Sequence, residues 1–562
     1  MKKFLLVGVS LYAVAAATSA NADDYPGQKK VKYCDPYVNY KCLDAYLGDD
    51  VFTRFIKYYE LEWGHDGPPV DPKAPPGRRS YWPTTPQTTP PYPFTEWPYG
   101  GTENMGVTRP ASIDSPLMVA IANTGVGQAM AAGNMQVYGW VNVGANVSSN
   151  GARPGGNAPI AYAYTPNTVQ LDQAVIYFER VPDTVQKDHV DWGFRLSAIY
   201  GENYRYTTSY GLASYQLLNH NQVNGYDFPM VYGELFFPQV AEGMLVRVGR
   251  YISIPDIEAQ LAPNNYMYTH SMTYTFDNYT NEGINTTVAL TKNWFVQMGV
   301  TIGTEAAPWH LGATMPNANI GTGTIGAQMY PGSTMPVDPG AVPSLSAAVR
   351  WQSDSGYDNI YVAVDGINGG NWGYNNLQWK GITWYHKFNE QWHLSWEAYN
   401  LSQNRVPNAA NFTGVTPFSN FNYNSPFFAQ CKDPTVSWCT ANVFATVAYL
   451  NYKISSLDNI SFRPEFYDDV EGQRTGVKTR YTNFGIGWQH WFSPQIEIRP
   501  EVDMYHSVDG PAFNGNTGSN NLLNVVNGPG CAATAHFAGA ASGQCPNKST
   551  TWLGAIDAIV HF

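Results

Sequence analysis

From Gln136 to Phe562, apolar and polar positions alternate in short runs. Trp192, Phe194, Leu196, Ala198 and Tyr200 share one parity, with Gly193, Arg195 and Ser197 on the other. Trp294, Val296, Met298, Val300 and Ile302 alternate with Gln297, Gly299 and Thr301. Ile496, Ile498, Val502 and Met504 alternate with Glu497, Arg499, Glu501 and Asp503. Successive strand side chains point to opposite faces, so each run predicts a strand with one apolar and one polar face. Alternation and β-propensity together predict about sixteen strands. They span 136–147, 170–181, 191–201, 231–237, 244–251, 283–291, 294–303, 344–352, 358–366, 377–387, 391–401, 441–453, 459–468, 480–491, 495–506 and 551–562. The faces of 377–387 and 441–453 stay undecided. In the last strand, Phe562, Val560, Ala558, Ile556, Gly554 and Trp552 form an apolar face, and His561, Ile559, Asp557, Ala555 and Leu553 a mixed one.

The connections alternate short and long. Lys292-Asn293, Phe388-Asn389-Glu390, Ser455 to Asn459 and Ser493-Pro494 are tight, whereas 148–169, 202–230, 252–282, 304–343, 402–440 and 507–550 are long, with 367–376 and 469–479 as shorter members. One end of the sheet therefore carries turns and the other carries loops, as outer-membrane barrels do. The expected fold is all-β: a transmembrane antiparallel up-and-down β-barrel of about sixteen strands, with an N-terminal irregular or helical extension. No mature stretch holds the ~18 consecutive apolar residues a membrane helix needs, and barrel strands are too short to give that signal. An even strand number puts both barrel ends on the turn side. The last strand would then pair with the first, near Gln136–Val147, because an open edge in lipid leaves backbone groups unpaired. Phe462-Arg463-Pro464-Glu465-Phe466 and Ile498-Arg499-Pro500-Glu501-Val502 repeat one pattern, and their outward prolines predict a local bend or bulge.

Residues ahead of the barrel read differently. Residues 1–22 form a signal peptide: Lys2 and Lys3, the apolar run Phe4 to Ala17, then Ala20-Asn21-Ala22. Residues 23–135 form an extension. Within it, Phe52, Phe55, Ile56, Tyr59 and Trp63 recur at helical spacing, predicting a short helix about 50–63 capped by Asp49-Asp50. A Pro-rich tract, 66–110, resists helix and central strand. The extension reads as a plug, a periplasmic docking segment or a tether, and no residue decides among them.

Composition supports the strand reading. The chain has 39 Tyr, 52 Gly and 14% charged residues, with a mean hydropathy of −0.31. The net charge of −12 and the lack of a basic patch argue against a nucleic-acid partner. Six cysteines form three local pairs, Cys34/Cys42, Cys431/Cys439 and Cys531/Cys545. Export favours three local disulfides, and zinc-type spacing is absent, so no metal is expected.

No catalytic motif or cofactor fingerprint is found, so an enzyme is not expected. His386, His393, His490 and His506 read as turn or interfacial residues. The informative charges lie opposite the apolar faces: Arg195, Arg247, Arg350, Glu397, Arg463, Glu465, Arg499 and Glu501 are the pore-lining candidates. Charges facing lipid are costly, so these imply water or mutual pairing inside, and about sixteen strands enclose a lumen wide enough for a channel. The third long loop, 252–282, carries Asp256 and Glu258 and is the constriction candidate, by analogy with general porins. Its acids would face lumen arginines.

Tyr138-Gly139-Trp140, Asp191-Trp192-Gly193-Phe194-Arg195, Tyr200-Gly201, Val248-Gly249-Arg250, Pro308-Trp309 and the Arg-Pro-Glu strands resemble the OmpL-like β-barrel porins of bacterial outer membranes. The resemblance covers about 95–562 and implies an outer-membrane barrel more firmly than any solute. The expected function is passive diffusion of small polar solutes or ions. Alternatives are a substrate-selective channel, such as one for sugars, a lipid-modifying enzyme, or a surface adhesin. Expected partners are outer-membrane lipid, the barrel-assembly machinery (through a terminal strand ending in Phe562), small solutes and a homo-oligomer.

Overall fold

The computed structural model describes residues 40–63 and 115–562, except 152–155, 185, 208–212, 214–215, 217–221, 253–255, 305–341, 370–376, 409–428, 437, 456, 494 and 515–545. The strands are β1 (Met135–Ser148), β2 (Val169–Arg180), β3 (Asp191–Gly201), β4 (Gly225–Asp227), β5 (Val231–Phe237), β6 (Met244–Ile252), β7 (Thr280–Ala289), β8 (Trp294–Thr304) and β9 (Ser344–Gln352). They continue as β10 (Asp358–Ile367), β11 (Gln378–Lys387), β12 (Trp392–Pro407), β13 (Trp438–Lys453), β14 (Asp458–Asp469), β15 (Thr479–Ser493), β16 (Ile496–Ser507) and β17 (Thr550–His561). Apart from β4, each pairs antiparallel with the strands before and after it. β4 and β5 both pair with β3, forming one interrupted stave, so sixteen staves make the ring. β1 and β17 close it, with Trp140 opposite His561 and Val147 opposite Gly554.

The alternation has a direct physical reading. On β17, Trp552, Ile556 and Val560 are exposed while Leu553, Ala555, Asp557 and Ile559 are buried. The same holds on β3, where Trp192, Leu196 and Tyr200 face out and Arg195 and Ser197 face in. The outer band is the face that lipid covers, and the polar set points at the lumen.

Three details depart from expectation. β4 forms inside the segment read as a loop, 202–230. β12 runs on to Pro407, past the expected end at 401, because a register shift between Gln403 and Val406 and a positive φ of 56° at Arg405 let a bulge carry the strand further. Neither Arg-Pro-Glu motif contains a bulge, and the register shift in the β15–β16 ladder lies beyond the motif, between Trp491 and Ser493. Val447–Glu465 and Leu450–Phe462 keep one register, and so do Gly487–Glu501 and His490–Ile498. Only the pairs between them drop out, at Pro464 against β13 and Pro500 against β15. A residue aims its N–H and C=O at the same neighbour, so a proline loses pairing on one side only. β14–β15 and β16–β17 pass both prolines unbroken.

One constellation occurs twice at the turn end of the outer surface. The Asp358 carboxylate on β10 accepts from Trp384 Nε1 at 3.1 Å and meets His386 Nδ1 at 2.7 Å on β11, and Phe388 lies edge-on to His386. Asp458 on β14 meets Trp488 Nε1 at 3.1 Å and His490 Nδ1 at 2.7 Å on β15, with Phe492 edge-on. Both occupy the first pairs after a tight turn, where side chains half-exposed at the lipid boundary need internal partners.

Ahead of the barrel lie α1 (Tyr40–Leu47), α2 (Val51–Trp63), α3 (Pro116–Ile121) and α4 (Gly125–Ala132). Asp50 accepts the Thr53 N–H at 2.8 Å and starts α2. Leu47, Tyr58, Leu61 and Val119 pack together. Arg54 is buried among them and donates to Gly48 O, Val119 O and Asp44. The helices sit at the turn end of the barrel: Tyr59 donates to His561 O, and Ser115 Oγ to Val137 O at 3.2 Å. Cys431 and Cys439 form a disulfide. Cys34, Cys531, Cys545 and the side chain of Cys42 lie outside the described residues.

Candidate channel lumen

The inward face of β12–β17 is built from tyrosines, arginines and carboxylates in alternation with outward apolar residues. The third loop does not stay outside. Residues 256–279 are buried from end to end and lie against this wall. The wall holds the loop by its backbone. Glu397 on β12 accepts the Ile257 N–H at 2.9 Å. Glu501 on β16 accepts Tyr268 N–H at 2.9 Å and Thr269 N–H at 3.1 Å, and also the Thr269 hydroxyl. Glu465 on β14 accepts Thr273 N–H at 2.6 Å and its hydroxyl at 2.7 Å.

Arginines take the loop's carbonyls. Arg463 donates to Thr269 O at 2.5 Å, and Arg499 to Ala262 O at 2.6 Å and Asn265 O at 2.9 Å. Arg474, in the β14–β15 connection, donates to Phe276 O at 2.9 Å and Asp277 O at 3.2 Å. Carboxylates thus satisfy the loop's donors and guanidiniums its acceptors. A short irregular segment can be buried only when its backbone groups find such partners, and charged partners roughly double the strength of each bond. The arginines are themselves neutralised on the wall, Arg463 by Asp503 at 2.8 Å and Arg499 by Asp557.

The other candidates lie on the opposite side of the ring and pair across neighbouring strands. Arg195 on β3 meets Glu179 on β2 at 2.6 Å. Arg247 on β6 pairs with Glu234 on β5 and stacks over Tyr232. Arg350 on β9 donates to Asn359 Oδ1 at 3.1 Å and Gln352 Oε1 at 2.9 Å, over Phe295. The eight candidates therefore divide: Glu397, Arg463, Glu465, Arg499 and Glu501 grip the loop, while Arg195, Arg247 and Arg350 form wall pairs. Glu258 lies inside, taking Ser271 N–H at 2.9 Å and Tyr449 OH at 2.7 Å. Asp256 sits beside Glu397 and Asp277 instead of facing an arginine.

Sequence reading passed over Asp277, Arg474 and Asp365. Asp365 on β10 holds Asn281 Nδ2 at 2.6 Å and Asn278 Nδ2, and its inward parity would have found it. Asp277 and Arg474 lie in connections, where no period marks direction. Loop residues 156–164 are buried too, and Tyr162 stacks on Tyr206 and His270 with centroids 4.4 and 3.6 Å apart.

The chain is similar to several known proteins. A family model described as "Putative beta-barrel porin-2, OmpL-like" matches residues 134–528. No curated protein matches the chain. Among solved structures, an anion-selective porin from Comamonas acidovorans is similar at 9% identity, covering 76% of this chain and 99% of that one, with a TM-score of 0.43. The outer-membrane channel DcaP of Acinetobacter baumannii is similar at 10% identity over 76% and 97%, with a TM-score of 0.42. OmpT of Vibrio cholerae is similar at 9% identity over 76% and 97%, with a TM-score of 0.38.

Proposed function

The chain belongs to the OmpL-like β-barrel porin-2 family and is an outer-membrane porin, and from that premise we propose that it passes small polar solutes by passive diffusion through a lumen narrowed by residues 256–279. The observation that carries this reading is the loop itself, held across the interior by Glu397, Glu465, Glu501, Arg463 and Arg499. A loop fixed at this many backbone points sets the width of the pathway, as constrictions do in channels generally. Buried carboxylates outnumber buried guanidiniums in the interior, and no lysine is buried there among the described residues. A pathway with that excess favours cations. Export by the signal peptide, insertion through the barrel-assembly machinery and a homo-oligomeric state belong to the same proposal.

The tyrosines clustered around the inward loop give no support to a sugar channel. Tyr162, Tyr206, Tyr274 and Tyr279 pack against one another and against His270, so their faces are already covered.

Planar-bilayer recording tests the reading. The purified chain should conduct in steps, and in a KCl gradient the zero-current potential should take the sign of cation preference. Deleting 256–279 should raise the single-channel conductance. Folded, heat-modifiable protein that never conducts would overturn the diffusion reading, and anion preference would overturn the charge argument.

A further inference from the structure

Several interior carboxylates meet donors from the loop and the wall. Glu258, Glu465 and Glu501 hold N–H and hydroxyl groups, and Asp365 holds Ser346 Oγ, Asn278 and Asn281. Asp256, Asp277 and Glu397 are arranged differently. One oxygen of each lies within 4.8 Å of the others, and the three residues are 4%, 1% and 2% exposed. Glu397 spends Oε2 on the Ile257 N–H, and Asp277 spends Oδ1 on the Asn278 N–H. Glu397 Oε1, Asp277 Oδ2 and Asp256 Oδ1 are buried and meet no donor from outside the trio, so a proton shared among the three acids is the alternative to a bound cation. No Lys, Arg or His pairs with the three among the described residues.

Buried carboxylates in contact cannot all stay ionised unless something positive lies between them. The donor set says what that would be. It is all oxygen and all carboxylate, with no sulfur or imidazole, which suits hard cations and not zinc or copper. A calcium ion, with ligand distances of about 2.3–2.6 Å and tolerance for irregular geometry, spans oxygens spread this way and completes its shell with water or backbone carbonyls. Placement adds a role. Asp256 lies near the start of the described part of the loop, Asp277 near its end, and Glu397 belongs to the wall.

We propose that Asp256, Asp277 and Glu397 form a binding site for a hard divalent cation, calcium first, that fastens both ends of the inward loop to β12. The inference goes beyond the diffusion reading and holds whatever solute crosses.

The test uses the full chain purified in detergent, stripped with EGTA and titrated calorimetrically with CaCl2. Saturable uptake of a single equivalent is expected, with a thermal unfolding midpoint higher in calcium than in chelator. Asp256→Asn and Glu397→Gln should each weaken calcium binding at least about tenfold, since affinity follows the count of charged ligands. In chelator Asp256→Asn should melt no lower than the unchanged protein, because it removes a repelling charge. A merely structural acid would lower the midpoint in both conditions. Asp354→Asn, in an exposed turn, should bind calcium normally. Magnesium uptake lost in the same variants also supports the site. Absence of calcium and magnesium uptake by the unchanged protein, or undiminished uptake by the Asp256→Asn/Glu397→Gln double variant, would overturn it. The unchanged protein's titration decides even if a variant fails to insert.

Discussion

Arg463 shows how much one interior side chain can carry. Its guanidinium reaches Asp503 Oδ1 at 2.8 Å, Tyr505 OH at 3.0 Å, Asn483 Oδ1 at 3.1 Å and the loop carbonyl of Thr269. Arg463→Met would leave Asp503 buried without its cation and should cost about 3–5 kcal/mol. The double variant Arg463→Met/Asp503→Leu should recover part of that, because it removes the unpaired buried charge while Asn483 and the Thr269 carbonyl still lose a donor. Urea midpoints in detergent would show both, and equal losses in single and double variants would refute the pairing argument. Outside the membrane, the Arg480 guanidinium and N–H hold the Asp509 carboxyl down at about 2. A carboxylate depressed on folding stabilises above its unfolded value near 3.8 and loses that contribution as pH falls through about 2. Because the pair is largely exposed, Asp509→Asn should cost no more than about 1 kcal/mol at neutral pH and nothing below pH 2. A loss that persists at the lower pH would point to packing instead of charge.

At the scale of elements, strands were legible because each has two solvents. Lipid on one side and polar lumen on the other impose a strict parity on Trp192–Tyr200 and on Ile496–Met504. Where that contrast fades, so did the reading: Gly225–Asp227 is too short to show a period, and the bulge at Arg405 hides the end of β12. The prolines face outward as expected, and no bulge forms at either one, since one missing donor silences only one neighbour. The paired Asp358 and Asp458 constellations were invisible beforehand because each joins residues on two strands. Their likeness predicts like energetics. Asp358→Ala and Asp458→Ala each strand a Trp Nε1 and a His Nδ1, and each should cost about 1 kcal/mol or somewhat more. Widely different urea midpoints for the two variants would show that the repeat has no common role.

For the whole molecule, the ordering of turns and loops predicted topology, yet not where the third loop goes. Its direction depends on Glu397, Glu465 and Glu501, each more than a hundred residues downstream of the backbone groups it receives. No local pattern contains such contacts. Glu501→Gln keeps the shape but halves the charge assistance to Tyr268 and Thr269 N–H groups. The pathway should widen or flicker, seen as higher or noisier single-channel conductance, while the barrel stays heat-modifiable. Unchanged conductance would mean the loop is held without Glu501.

The seam between β1 and β17 also has a consequence for time. Asn142 Nδ2 meets Asp557 Oδ2 at 2.7 Å across 415 residues of chain. Nothing synthesised earlier can take the place of β17, so until the final segment has been delivered the sheet has two raw margins and a greasy back. Contacts this remote in sequence form slowly. On the export route proposed above, the polypeptide stays an unclosed, sticky intermediate until that strand arrives, and its survival is governed by how long it waits more than by how stable the finished ring is.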